Sequence, residues 1–284
     1  MPTTGRPRRT WLLVASAALV ALAVGFASGV VLASFDAPYQ TLVTYEVVDG
    51  ELGQADTYPV SDGYLDARDD TARHREIWEA WGLVAVDPWA ELVVLFDLSS
   101  DGRDNDLGAV YLLDETRERW ALEVDPADAG DPELLLDTLV HELGHLVSLG
   151  PDQVEAGQGF ATIAEARAEC DGPGVEDGCL LDGAHLAAFM EAFWDPAELD
   201  EVDARVPVED RDAAATERFD ADPDRWVSPY AATHPVEDFA ESWLTFVRLG
   251  DELDEHDSAW AEKARWFAGR PELRDAAEEI RARL

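Results

Sequence analysis

The sequence predicts an α+β fold, in which a small mixed or antiparallel sheet precedes a long helix and a mainly helical C-terminal part. Between residues 37 and 130, short apolar or alternating stretches bounded by glycine and polar loops are typical of strands. From residue 131 onward, apolar residues recur at helical spacing behind capping residues and prolines. The chain of 284 residues is 47% hydrophobic and can bury a core, which argues against a disordered or fibrous protein.

The sheet is predicted from several short stretches of sequence. Alternating residues over 41–48, followed by two glycines, predict a strand or hairpin. A helix comes next, capped by Asp69 or Asp70 and ending at Gly82. The remaining strands are predicted over residues 91–98, 109–113 and 120–124.

The best-defined helix is predicted over residues 131–149. Asp131 stands at its cap, Pro132 occupies the first helical position, and Gly150 ends it. Residues 150–228 are predicted to form an irregular insertion that contains one helix. The further predicted helices cover residues 182–194, 235–249, 254–268 and 271 onward.

The first 33 residues differ from the rest of the chain. Three arginines precede a stretch over 11–34 that has no charged residue and is close to the ~20 apolar residues that cross a bilayer as a helix. We expect residues 1–33 to form a membrane anchor, or a signal segment if cleavage occurs after Ala33. Both outcomes place residues 34–284, the expected folded domain, outside the cytoplasm.

Acidic residues dominate the part of the chain that is expected to be exported. Without the first 33 residues it carries 18 basic and 61 acidic residues, a formal charge of −43. Such a charge argues against nucleic acid or anionic lipid as a partner. Because the acids are spread along the chain, a solubilising surface is the simplest interpretation. Membrane contact is expected through the N-terminal helix.

Two cysteines, Cys170 and Cys179, lie nine positions apart within a glycine-rich stretch. In an oxidising compartment such a pair is typical of a disulfide that closes a small loop. A zinc-binding pair is the weaker alternative, because no further cysteine or histidine lies at zinc-finger spacing nearby. The sequence therefore predicts a disulfide.

The predicted long helix contains the motif His141-Glu142-Leu143-Gly144-His145. Histidines four residues apart project from one face of a helix, so both imidazoles can bind one metal ion. Zinc suits this site, because it accepts nitrogen and carboxylate ligands and keeps a position for water. Glu142 points toward the same opening and can act as general base for that water. The alternative is an exposed helix that carries two histidines by chance.

A catalytic zinc site of this kind needs a third protein ligand. The metzincin pattern would require glycine and histidine where this chain has Ser148 and Pro151, so a carboxylate ligand is expected. Glu165 and Glu237 both lie on plausible helices. Their spacing from His145 does not decide between them.

The stretch over 230–243, Tyr-Ala-Ala-Thr-His-Pro-Val-Glu-Asp-Phe-Ala-Glu-Ser-Trp, resembles the downstream signature of gluzincin-type zinc peptidases. Together with the histidine motif it is most similar to the catalytic domain of anthrax lethal factor and its relatives, and to a group of exported bacterial zinc-binding peptidases. The resemblance implies a zincin-like fold with Zn²⁺ as cofactor. It covers residues 136–150 and 228–247 strongly and the insertion between them weakly.

The resemblance also implies roles for individual residues. In the family, the first Glu of the E-x-F-A-E run is the third zinc ligand, and this position is Glu237. A tyrosine seven residues earlier faces the reaction centre, and Tyr230 matches it. Glu241, one turn after Glu237, is implied to accept a hydrogen bond from a metal-binding histidine, with His141 as the expected partner.

One histidine departs from the family pattern. His234 stands where relatives often have Asn, and we interpret it as a helix-start residue. The three remaining histidines lack metal-type spacing and are expected at the surface; they are His74, His185 and His256.

Taken together, these residues predict a zinc peptidase that hydrolyses peptide bonds of a peptide or protein substrate outside the cytoplasm. In the expected mechanism Glu142 deprotonates water and Tyr230 donates a hydrogen bond to the developing oxyanion. One alternative is a membrane-anchored scaffold or binding protein with a non-catalytic zinc site. Three candidate ligands and the presence of Glu142 argue against it, because structural sites normally have four protein ligands. Another alternative is a zinc amidase that acts on cell-wall material.

Overall fold

The computed structural model describes residues 39–102, 107–157, 159–202 and 208–284. The anchor predicted over residues 1–33 lies outside the described residues, so it stays a prediction. Within the described ranges, no helix has the length and apolarity that crossing a membrane requires.

Five strands from the first half of the chain form one mixed sheet. They are β1 (Gln40–Val48), β2 (Glu51–Thr57), β3 (Val93–Ser100), β4 (Gly108–Leu112) and β5 (Trp120–Val124). Their order across the sheet is β2-β1-β3-β5-β4. β3 and β5 run parallel, and the other neighbours run antiparallel. The predicted hairpin and the three later strands are confirmed, although the strand predicted over 91–98 begins only at Val93, after a 3₁₀ turn.

Helices make up most of the rest of the described chain, which confirms the predicted α+β class. The α-helices are α1 (Leu65–Asp69), α2 (Thr71–Val84), α3 (Pro132–Leu149), α4 (Ile163–Glu169), α5 (His185–Phe193), α6 (Pro196–Glu201), α7 (Val208–Ala221), α8 (Pro235–Leu249), α9 (Ala259–Trp266) and α10 (Pro271–Arg283). A small hairpin of β6 (Gly174–Val175) and β7 (Gly178–Cys179) lies between α4 and α5.

α3 is the central helix of the molecule. Its start follows from the sequence, because the Asp131 side chain accepts hydrogen bonds from the backbone N–H groups of Glu133 and Leu134, and Pro132 occupies the first position. From Leu139 to Leu149 every residue is buried, since α3 lies between the sheet and the C-terminal helices. A histidine motif on this helix is therefore placed in the core of the protein.

The insertion over 150–228 is more regular than predicted. Besides the predicted helix, which forms as α5, and the plausible helix around Glu165, which forms as α4, it contains α6, α7 and the β6–β7 hairpin. α7 was missed because its sequence has little apolar periodicity. Its alanine, glutamate and arginine residues nevertheless have high intrinsic helix propensity.

The expected surface position of His74 is wrong. His74 lies on α2 and is fully buried. Both ring nitrogens have partners, since Nδ1 lies 2.9 Å from the Tyr45 hydroxyl and Nε2 lies 2.8 Å from the carbonyl oxygen of Ala67. A buried polar ring costs little when both nitrogens are hydrogen-bonded. The other two, His185 and His256, are half-buried.

A glycine in the histidine motif allows α8 to approach α3 closely. A Cβ atom added to Gly144 would lie 3.0 Å from the Cα atom of Ala240 and 3.1 Å from Cδ1 of Trp243, both on α8. Both distances are shorter than ordinary van der Waals contact. The shorter one is to the backbone of Ala240, which cannot move aside as a flexible side chain can. The close packing of the two helices thus depends on the missing side chain at position 144.

We expect Gly144→Val to lower the free energy of unfolding by about 1–3 kcal/mol, the usual cost of overpacking a core. Because the substitution pushes α8 away from α3, zinc binding should weaken as well. Urea denaturation and zinc titration measure the two effects. Gly82→Val is the matched control, since a Cβ at Gly82 meets nothing within 4 Å and the change in helix propensity is small. Equal stability of the two variants would contradict the packing argument.

The predicted disulfide between Cys170 and Cys179 is confirmed, with a Cα–Cα distance of 5.5 Å. It links the end of α4 to β7 and so closes the base of the β6–β7 hairpin. Replacing both cysteines by serine should lower the free energy of unfolding by about 2–3 kcal/mol, because the unfolded chain regains the entropy of an open loop. Urea denaturation of the oxidised protein and of the variant checks this. Reductant should destabilise the wild type alone; an equal effect on the variant would contradict the assignment.

Candidate metal centre

α8 supplies a carboxylate to the site from its first turn. Pro235 occupies the first helical position, and the His234 ring caps the helix by accepting a hydrogen bond from the Val236 N–H at 3.1 Å. This confirms His234 as a helix-start residue. Glu237, the third residue of α8, points toward α3 and is 5% exposed.

α3 and α8 bring three candidate ligand atoms together. His141 Nε2 lies 3.2 Å and His145 Nε2 lies 3.4 Å from Glu237 Oε2. The two histidine Nε2 atoms are 3.0 Å apart. All three side chains are buried, and within the described residues no other group of three such side chains gathers its ligand atoms this closely. The structure thus places together the three residues for which the sequence predicts metal binding.

Two of these separations match a tetrahedral zinc site, and the 3.0 Å between the two histidine nitrogens is slightly shorter. Nitrogen and oxygen ligands lie ~2.0–2.2 Å from zinc, so two of them in a tetrahedron are ~3.2–3.6 Å apart. Two imidazole nitrogens at 3.0 Å repel each other through their lone pairs unless a proton or a cation lies between them. The two nitrogens and one carboxylate oxygen also form a ligand set typical of catalytic zinc. The residues present therefore fit the ion.

The electrostatics of the site favour positive charge. Burial alone would lower the pKa of His141, but hydrogen bonds to Glu237 and Glu241 raise that pKa well above its ordinary value. For Glu237, burial would raise the pKa, but the neighbouring His145 and His141 lower it well below its ordinary value. A carboxylate that stays ionised while buried is suited to bind a cation.

Glu142 lies beside the ligand atoms and is held by the sheet. Its Oε2 accepts a hydrogen bond of 2.9 Å from the backbone N–H of Val110 on β4. Its Oε1 is buried and has no hydrogen-bond partner among the described residues. Burial raises the pKa of Glu142, although the two histidines oppose this. A raised pKa brings a carboxylate closer to the range of an efficient general base.

Tyr230 faces the same site from the turn before α8. Its ring centroid lies 5.7 Å from that of His141. The hydroxyl is buried and lacks a hydrogen-bond partner within the described part of the chain. Burial and the negative charges of Glu237 and Glu142 raise the pKa of Tyr230 well above its ordinary value. The hydroxyl therefore keeps its proton and can donate it in a hydrogen bond.

Glu241 holds the ring of His141. Its Oε1 lies 2.9 Å from His141 Nδ1, and its Oε2 accepts a hydrogen bond of 2.7 Å from Ser228 Oγ. Ser228 also accepts a hydrogen bond from the backbone N–H of Ala231, in the turn that carries Tyr230. Ser228 could not be predicted from the sequence, because a serine thirteen residues before its partner follows no recognisable spacing. A carboxylate on the second imidazole nitrogen fixes ring orientation.

Another side of α8 is anchored by a buried ion pair. Asp238 follows Glu237 and accepts hydrogen bonds from Lys263 Nζ at 2.6 Å and from Trp194 Nε1 at 2.9 Å. Lys263 is 2% exposed and its Nζ lies 3.8 Å from the centroid of the Trp226 ring. Removing one partner of such a pair costs several kcal/mol, because the other charge remains buried. The pair therefore fixes the side of α8 next to the one that carries Glu237.

Glu165, the alternative third ligand, lies elsewhere. It is exposed on α4, and its Oε2 accepts a hydrogen bond of 2.9 Å from the backbone N–H of Ala161. It is not part of the group formed by His141, His145 and Glu237. The structure thus brings together the residues that the family resemblance selects.

A protein family described as "Putative zinc-binding metallo-peptidase" matches residues 181–277. This range includes Tyr230, Glu237 and Glu241 but not the histidine motif of α3. Among curated proteins and among solved structures, none matches the chain. The family match and the buried His-His-Glu group are separate observations, and both support zinc as the cofactor.

Proposed function

We propose that the protein is a gluzincin-type zinc peptidase. One observation carries the proposal: three candidate ligand atoms on α3 and α8 lie 3.0–3.4 Å apart. Beside them lie two buried polar atoms without partners among the described residues, Glu142 Oε1 and the Tyr230 hydroxyl. A structural zinc site would need neither group, whereas peptide hydrolysis uses a proton acceptor and an oxyanion donor.

Each residue has one task in the proposed reaction. His141, His145 and Glu237 hold zinc, which when bound polarises the scissile carbonyl and lowers the pKa of water. Glu142 accepts the proton of the attacking water at Oε1 and passes it to the leaving amine. Tyr230 donates a hydrogen bond to the carbonyl oxygen as this oxygen becomes negative.

The test is hydrolysis of a mixed peptide library by the purified full-length protein. We expect cleavage that a zinc chelator abolishes and added zinc restores. A scaffold or binding protein would take up zinc without cleaving any peptide, and a cell-wall amidase would cleave cell-wall amides but not the library. Either result would overturn the proposal.

We further propose that the protein acts outside the cytoplasm, held there by residues 1–33. The arginine flank and the uncharged stretch over 11–34 support this location. The disulfide between Cys170 and Cys179 supports it as well, since disulfides form in oxidising compartments. Fractionation of producing cells checks it: the protein is expected with the membranes, or in the medium if cleavage occurs near Ala33. Recovery with the cytoplasmic proteins would contradict the proposal.

A further inference from the structure

The β6–β7 hairpin carries a carboxylate that reaches α8. Glu176 lies at its turn, and its Oε2 is 2.9 Å from His234 Nε2. Both side chains are largely buried, with exposed fractions of 16% and 20%. Cys170 and Cys179 close the base of this hairpin. No step of the proposed reaction uses Glu176.

The hydrogen bonds of His234 fix where its ring proton lies. The backbone N–H of Val236 can only donate, so Nδ1 must accept this hydrogen bond and carries no proton. The ring proton is then on Nε2, which donates it to Glu176. The carboxylate thereby selects the tautomer and the ring orientation that cap α8, just as a carboxylate beside a metal-binding histidine fixes that ring.

The cap matters because Glu237 lies in the first turn of α8. The first N–H groups of a helix have no acceptor within the helix. The cap supplies an acceptor for one of these N–H groups, that of Val236. Serine, threonine, aspartate and asparagine are the usual capping residues, and their short side chains have few orientations. The imidazole of His234 can cap only in the tautomer that leaves Nδ1 without a proton, and the hydrogen bond to Glu176 favours that tautomer.

Arg117 links the same hairpin to the end of α3. Arg117 is 2% exposed, and its guanidinium donates one hydrogen bond to the backbone oxygen of Asp177 in the hairpin. It donates another, of 3.4 Å, to the backbone oxygen of Leu149, the last residue of α3. The hairpin is therefore linked to α8 through Glu176 and His234, and to α3 through Arg117.

We propose that Glu176 is a positioning residue, which acts through His234 to hold the first turn of α8 and thus the carboxylate of Glu237 in place for zinc. This rests on the proposed function only in taking Glu237 as a zinc ligand. Glu176 itself is not one of the three candidate ligands.

The first test measures the zinc dissociation constant of the full-length protein by competition with a chelator. For Glu176→Ala we expect a rise of about 10- to 100-fold, the range found for residues that orient a ligand. Glu176→Gln should rescue most of the affinity, because its amide oxygen can still accept the proton of His234 Nε2. Glu272→Ala is the matched control: Glu272 lies 3.4 Å from His185 Nε2, away from the ligands, and its loss should leave zinc affinity unchanged.

A double-mutant cycle shows whether Glu176 acts through His234. His234→Ala should weaken zinc binding, and Glu176→Ala should add little in that background. A second readout needs no metal: in zinc-free protein, the amide protons of residues 236–238 should exchange faster in Glu176→Ala than in the wild type. A variant that only lost global stability would speed exchange throughout α8.

Two results would overturn the proposal. One is an unchanged zinc affinity and unchanged amide exchange in both Glu176 variants. The other is an equal loss of affinity from Glu176→Ala with and without His234. If the wild-type protein binds no zinc, the proposed function fails, and amide exchange in the first turn of α8 still decides the role of Glu176.

Discussion

Glu142→Gln is expected to abolish peptide cleavage while zinc stays bound. The amide oxygen of glutamine can keep the hydrogen bond from the Val110 N–H, so the side chain should retain its place beside the ligands. An amide cannot take a proton from water at neutral pH. General-base catalysis contributes about 10²- to 10⁴-fold, so kcat should fall by at least that factor.

A peptide hydrolysis assay measures the loss of cleavage, and metal analysis of the same preparation measures the zinc that stays bound. Glu133→Gln is the matched control, because Glu133 lies on the same helix with 83% of its side chain exposed. It should keep both zinc and activity. Turnover by the Glu142 variant at the wild-type rate would remove Glu142 as the general base. Loss of zinc would instead mean that Glu142 contributes to metal binding.

Glu237→Ala is expected to lose zinc altogether. The substitution removes one of three ligands and leaves only the Nε2 atoms of His141 and His145 to hold the ion. Since residues that merely orient a ligand affect affinity by 10- to 100-fold, loss of a ligand itself should exceed ~100-fold. Metal analysis after dialysis measures the bound zinc, and activity should disappear with it.

Glu165→Ala serves as the control for this variant. It removes the other carboxylate that the sequence offers, which is exposed on α4. We expect this protein to keep one zinc ion per chain. The reverse pattern, with zinc retained in the Glu237 variant and lost in the Glu165 variant, would refute the choice of ligand.

Much of the fold could be predicted because local signals mark its elements. The starts of α3 and α8 follow from a capping residue and a proline at the first position. The strands of the sheet could be predicted from short apolar stretches between polar loops. α7 could not, since its residues favour a helix individually but form no apolar stripe.

The candidate site, too, could be predicted from the sequence only in part. The two histidines lie one turn apart on one helix, so their proximity follows from helix geometry alone. Glu237 lies 96 residues after His141, and only the family resemblance, not spacing, selected it over Glu165. Ser228 and Glu176 were missed, because their hydrogen bonds join elements whose packing the sequence does not specify locally.

Burial of Lys263 has a practical consequence, because it is the only lysine of the chain. Its ammonium is enclosed by Asp238 and the Trp226 ring and is shielded from solvent. Acylating reagents therefore find no lysine to modify on the folded protein, and cross-linkers that require lysine will fail to capture its complexes. The same reagents would mark molecules in which α9 has separated from α8, so lysine labelling reports the opening of this part of the structure.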